Sequence, residues 1–203
     1  MRAWPLGVEG AFKFEIVPHE DDRGAFASPY GESVFESFTG HPLFTMRQHS
    51  YSTSRRGVVR GLHYTATPPG TAKYVYSPAG EALDIVLDIR VGSPTFGQWD
   101  SVRFSASEPY GVYLPVGVAH MFAVLDDNTV ISYLLSSEYR PADELAISPL
   151  DPALGLPLPA FEHGPVLSAR DRDAPTLAEA RAAGRLPEYA KAAVLERQLG
   201  AER

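Results

Sequence analysis

The 203-residue chain contains no cysteine, which excludes disulfides, a thiolate nucleophile and any cysteine-ligated metal. No apolar run approaches the ~20 residues needed to cross a bilayer, and the opening Met1-Arg2-Ala3-Trp4-Pro5 lacks the apolar stretch of a secretory signal. A cytoplasmic protein that does not engage a membrane is the expectation. Basic charge is scarce too: the net charge is −7, so no broad nucleic-acid footprint is expected, because such a surface needs clustered Lys and Arg against phosphate. Any phosphate partner is then small and held locally. Glycine-rich nucleotide loops of the Rossmann or P-loop type are missing, which leaves scattered side chains to grip a nucleotide. Lysine is rare, with Lys13, Lys73 and Lys191 against fifteen arginines, so a lysine inside an apolar run stands out.

What is present reads as one β-rich domain. With 44% hydrophobic residues the chain can bury a sizeable core. From Ala82 to Arg90, Leu83, Ile85, Leu87 and Ile89 alternate with Ala82, Asp84, Val86, Asp88 and Arg90, the period of two that marks a strand. Further β-branched and aromatic runs lie at Tyr74 to Tyr76, Trp99 to Phe104, Gly111 to Leu114, Phe122 to Leu125 and Val130 to Leu135. Turn signals such as Pro78-Ala-Gly and Asp126-Asp-Asn punctuate them, and such even spacing predicts a sandwich or barrel. The C-terminal part changes texture. Thr176-Leu-Ala-Glu179 predicts a capped helix that stops at Gly184, and a second helix is expected over Pro187 to Leu199. Asp151-Pro-Ala-Leu-Gly-Leu-Pro-Leu-Pro reads as an extended crossover between the two textures. The expected domain covers 1–203, with a body over about 1–170 and a helical appendage over about 175–200.

Three side chains are candidates for the base, cation and acid that a racemising or epimerising site needs. His63, in Arg60-Gly61-Leu62-His63-Tyr64, is a candidate base. An imidazole becomes a better-aimed base when a carboxylate accepts its other N–H, a role for which Asp171 and Asp173 are candidates. A buried core histidine is the competing role. Tyr133, in Val130-Ile-Ser-Tyr-Leu-Leu135, is a candidate acid, because a phenol with a pKa of ~10 keeps its proton at neutral pH; a strand tyrosine also serves as plain packing. Lys73 would place an ammonium beside a carbonyl oxygen and stabilise an enolate, or else guard a sheet edge. His120 closes Pro115-Val-Gly-Val-Ala-His120, which matches a short motif of the cupin superfamily. Two histidines, His63 and His120, are too few ligands for a tight first-row metal site, so neither a metal nor another cofactor is expected. Arg23, Arg60 and Arg170 have the paired donors that grip a diphosphate.

Taken together, Asp22-Arg23-Gly24, Gly57-Val-Val-Arg-Gly-Leu-His-Tyr64, Ala72-Lys73, Gly92-Ser-Pro-Thr-Phe-Gly-Gln-Trp99, Leu114-Pro-Val-Gly-Val-Ala-His120, Asp151-Pro-Ala-Leu-Gly155 and Ser168-Ala-Arg-Asp171 resemble the dTDP-4-dehydrorhamnose 3,5-epimerase family. The resemblance runs through about residue 180. It implies a mainly β, cupin-type jelly roll with short C-terminal helices, metal-free, working as a homodimer on a dTDP-4-keto-6-deoxyhexose. By matching motif, His63 is the base with Asp171 its partner, Tyr133 the acid, and Lys73 the cation near the C4 carbonyl. Arg60, His120, Gln48 and Glu144 line the sugar and diphosphate, and Tyr139 is an aromatic near the ligand. Arg23 and Phe26 match positions that reach the nucleotide from the other subunit, where Arg170 replaces another basic residue. The chain departs from the family at Ser50, at Ser28 where a glutamate is expected nearby, at Thr65 and at Met121. These changes alter the pocket lining and point to a specialised, antibiotic-type sugar. Two competing readings are a nucleotide-sugar-binding cupin without catalysis and a metal-dependent cupin oxygenase or isomerase.

Overall fold

The computed structural model describes residues 2–201; Met1, Glu202 and Arg203, at the ends of the expected domain, lie outside the described residues. Its strands are β1 (Ala3–Pro5), β2 (Phe12–Glu15), β3 (His19–Asp21), β4 (Gly24–Phe26), β5 (Gln48–Ser54), β6 (Val59–Thr65), β7 (Lys73–Ala79), β8 (Ala82–Asp88), β9 (Trp99–Phe104), β10 (Tyr110–Leu114), β11 (Val118–Val124), β12 (Thr129–Leu135) and β13 (Glu144–Ala146). The helices are α1 (Glu32–Thr39), α2 (Ala169–Arg172), α3 (Leu177–Ala182) and α4 (Tyr189–Ala201). A six-stranded sheet, ordered β1-β2-β10-β7-β12-β5, accompanies a five-stranded sheet, ordered β13-β6-β11-β8-β9. Strands β3 and β4 form a separate hairpin. The strand pairs within these sheets are antiparallel, giving the sandwich that the strand spacing predicts and the jelly roll that the resemblance implies.

Alternation sorts the side chains into three layers. Val75, Ala82, Val86, Val112, Val118, Phe122, Val124 and Ile131 pack together in the space between the sheets. The other face of the five-stranded sheet, with Leu62, Ile85, Leu87, Ile89 and Met121, is covered by Leu154, Leu156, Leu158, Phe161 and the α3 residue Ala180. The six-stranded sheet carries Phe14, Tyr74 and Tyr113 outward against Phe35 of α1 and Ala192 of α4. Both sheets are therefore covered on both faces, which is why β11 is buried at every position.

Expected boundaries move, β11 running from Val118 to Val124 and β7 from Lys73 to Ala79, and two further shifts have a visible cause. The β8 strand stops at Asp88, short of Arg90, because the Asp88 carboxylate accepts the Arg90 backbone N–H at 3.0 Å and bends the chain. The last helix begins at Tyr189 and runs to Ala201, while Pro187 is held extended by the Val91 N–H on its carbonyl at 2.8 Å. The α3 helix has the expected capping box between Thr176 and Glu179, and Gly184 follows it with φ +67°.

Candidate active site

The pleat alone would put Arg60 and His63, three residues apart on β6, on opposite faces. The structure brings them together. His63 pairs with His120 across β11, yet Phe122 pairs with Arg60, so β6 carries one extra residue between them, a bulge that returns both side chains to the same cleft. Gly61 sits at that bulge with φ +124°. A Cβ there would lie 2.3 Å from Met121 Cβ and 2.5 Å from the His120 carbonyl oxygen, so only glycine lets β6 lie this close to β11. Gly61→Ala is expected to destabilise the chain by about 2–5 kcal/mol, from overpacking and backbone strain combined. Urea unfolding measures this, and a loss within about 0.5 kcal/mol, the usual range of a tolerated surface change, would contradict the account.

His63 is anchored from behind. The Ser168 hydroxyl caps α2 by accepting the Asp171 N–H at 3.1 Å, which turns Asp171 inward to a site only 2% exposed. His63 Nε2–H donates to Asp171 Oδ1 at 2.5 Å, leaving Nδ1 as the ring nitrogen free to take a proton. Asp173, the other candidate, is the exposed C-cap of α2. A second imidazole–carboxylate pair stands alongside: His120 Nε2–H donates to Asp84 Oδ2 at 2.5 Å, with both residues buried. Asp84 Oδ1 is a buried side-chain atom with no hydrogen-bond partner among the described residues.

Tyr133 and Lys73 enter the cleft from the facing sheet, on β12 and β7. The Tyr133 ring is wedged edge-on to His120 at 6.3 Å, and its hydroxyl lies 3.2 Å from Ser52 Oγ. Burial, reinforced by the Asp84 charge, raises the phenol above its ordinary value, so it holds its proton at neutral pH. Burial pulls Lys73 below the ordinary lysine value, and the carboxylates of Glu144 and Asp84 oppose that shift. Gln48 accepts the Tyr139 N–H at 2.7 Å and donates to Ser50 at 2.8 Å, while Glu144 accepts the Thr65 hydroxyl at 2.9 Å. The cleft has a volume of about 270 Å³. A larger groove of about 580 Å³ lies under α4, where Tyr113 donates to Glu196 and His41, Arg90 and Arg197 also line the wall. Among the described residues no group of three metal-ligating side chains is arranged to hold a metal.

Residues 5–179 match the dTDP-4-dehydrorhamnose 3,5-epimerase family. The chain belongs to that family. It is 44% identical to NovW, a 4-keto-6-deoxy sugar epimerase from the novobiocin gene cluster of Streptomyces spheroides, whose crystal structure superposes with a TM-score of 0.90 over 95% of each chain. It is 42% identical to ChmJ, a 3'-monoepimerase from Streptomyces bikiniensis solved with dTDP-quinovose, at a TM-score of 0.90 over 98% of this chain and 99% of that one. A dTDP-4-dehydrorhamnose 3,5-epimerase of Mycolicibacterium smegmatis is 43% identical over 94% of this chain and 92% of its own. These relatives are catalytic, which favours epimerisation over a binding-only cupin or a metal-dependent oxygenase.

Of the residues expected at this epimerase site, Gln48, Arg60, His63, Lys73, His120, Tyr133, Tyr139 and Glu144 line the one cleft, with Asp171 behind His63. Three do not line it. Arg23 pairs with Asp21 on the β3–β4 hairpin and Phe26 is 70% exposed there. Arg170 is exposed and donates to the Leu145 carbonyl at 3.1 Å. Sequence reasoning missed Asp84, Ser52, Thr71, Phe122, Ser137 and Glu138; the signal for Asp84 was an acid on the strand face opposite Ile85 and Leu87.

Burial lowers the His63 pKa; Asp171 opposes this, and the charges of Arg170 and Lys73 add to it. The imidazole therefore stays neutral to a pH below the ordinary histidine value, and an imidazole that serves as the base loses activity only as it protonates. Removing the Arg170 charge lets the His63 pKa rise. In Arg170→Gln the acidic limb of kcat/KM should accordingly move to higher pH, and a pH–rate profile with that limb unmoved would contradict the coupling.

Proposed function

We propose that this epimerase acts in deoxysugar biosynthesis on a dTDP-4-keto-6-deoxyhexose, inverting C3, C5 or both. The observation that carries this reading is the convergence in one cleft of a carboxylate-anchored imidazole, a partly buried phenol and a buried lysine. Both carbons are alpha to the C4 ketone, so one cation at the C4 oxygen acidifies either C–H. His63 Nδ1 takes the proton, and the electron pair of the broken C–H bond moves into the enolate, with its charge on the C4 oxygen. Lys73 stabilises that charge. Tyr133 then delivers its proton to the opposite face of the same carbon, and the stereocentre inverts. Solvent restores the phenol proton and removes the imidazole proton, so the oxidation state never changes and no redox cofactor is called for.

Arg60, Gln48, His120, Glu144 and Tyr139 surround the sugar and its diphosphate. We assign Arg23, Phe26 and Arg170 to the nucleotide end, with Arg23 and Phe26 completing the cleft of a second copy in a homodimer. Their exposure on a hairpin, away from their own cleft, supports that role. Proton NMR of dTDP-4-keto-6-deoxyglucose with the enzyme in deuterated water tests the reaction and its regiochemistry together. Deuterium should appear at each carbon that inverts, and substrate left unexchanged and uninverted would overturn the assignment.

A further inference from the structure

We infer that Ser52 is a positioning residue for the acid: its hydroxyl donates to the Tyr133 oxygen and carries the phenolate through reprotonation. This rests on Tyr133 as the proton donor. For Tyr133 to aim its own O–H at a carbon of the ring, the hydrogen bond to Ser52 Oγ at 3.2 Å must run the other way, with serine donating. Packing then leaves the phenol little choice of direction. His120 and Phe122 hold its ring at 6.3 and 6.4 Å between centroids, edge-on and tilted, and among the described residues Ser52 is the hydrogen-bond partner of its oxygen.

Ser52 is itself held in place. It lies on β5, paired with Ile131 on β12 two residues before Tyr133. The contact also gains strength at the moment it is needed. When the proton leaves, an oxygen held in the partly buried cleft becomes anionic near the Asp84 carboxylate, whose charge works against the phenolate. The serine hydrogen bond then becomes charge-assisted, and an interaction stronger in the transition state than in the ground state raises kcat rather than binding.

Ser52→Ala and Ser52→Thr, assayed by proton NMR in deuterated water, test the assignment. Ser52→Ala should lower kcat for inversion by about 10- to 100-fold, the worth of a hydrogen bond to a charged group, with KM unchanged. Solvent exchange at the substrate carbon should continue near the wild-type rate, so that the ratio of exchange to inversion rises, and Ser52→Thr should restore inversion. Wild-type inversion by Ser52→Ala, or exchange and inversion falling together, would overturn the role of Ser52. Inversion by the wild-type enzyme without any solvent deuterium in the product would instead overturn the acid–base reading beneath it.

Discussion

Replacing His63 by asparagine is expected to cut turnover by about 10²- to 10⁴-fold, the range for a general base, or roughly 3 to 5 kcal/mol of barrier. Asparagine keeps a side-chain N–H that can face Asp171, so the buried carboxylate is not stranded; an unsatisfied buried polar group would cost about 1–3 kcal/mol of stability and confuse the result. The variant should melt close to wild type. Its signature is the loss of exchange and inversion together, because no proton leaves the substrate without the base. Wild-type deuterium incorporation at C3 or C5 in His63→Asn would remove His63 from the mechanism.

Tyr133→Phe should abolish inversion to a similar extent, about 10²- to 10⁴-fold, but for a different reason and with a different trace. Phenylalanine keeps the ring packed against His120 and Phe122 and removes only the hydroxyl. His63 still forms the enolate, so exchange persists while the proton returns to the face it left. Product accumulating at the wild-type rate would exclude Tyr133 as the acid. The two variants therefore separate the two half-reactions.

Two of the sheet strands, β9 and β12, were legible because their residues obey ordinary rules. Trp99 to Phe104 matches β9, and the Val130 to Leu135 run falls within β12, since both are rich in β-branched and aromatic side chains. Strand β5 was not legible. Its inward positions are Gln48, Ser50 and Ser52, which line a polar cleft and carry no hydrophobic period. The short strands β1 to β4 likewise have too few residues for a pattern. In β8 the alternation was real, but covered faces changed its meaning: Leu83, Ile85 and Leu87 pack under the C-terminal segment, and Asp84 points between the sheets toward His120. The residue types at the candidate site came from the resemblance of its motifs to the family. Two arrangements were not legible. Arg60 and His63 share a face only through the bulge at Gly61, and Asp171 meets His63 across 108 residues because Ser168 caps α2.

A crystal structure with a dTDP-4-keto-6-deoxyhexose or its reduced analogue in the cleft tests the central claim most directly. The account predicts His63 Nδ1 beneath one face of the hexose, the Tyr133 hydroxyl above the other, and Lys73 Nζ within hydrogen-bond distance of the C4 oxygen. A sugar ring with imidazole and phenol on the same side, or seated outside this cleft, would contradict it.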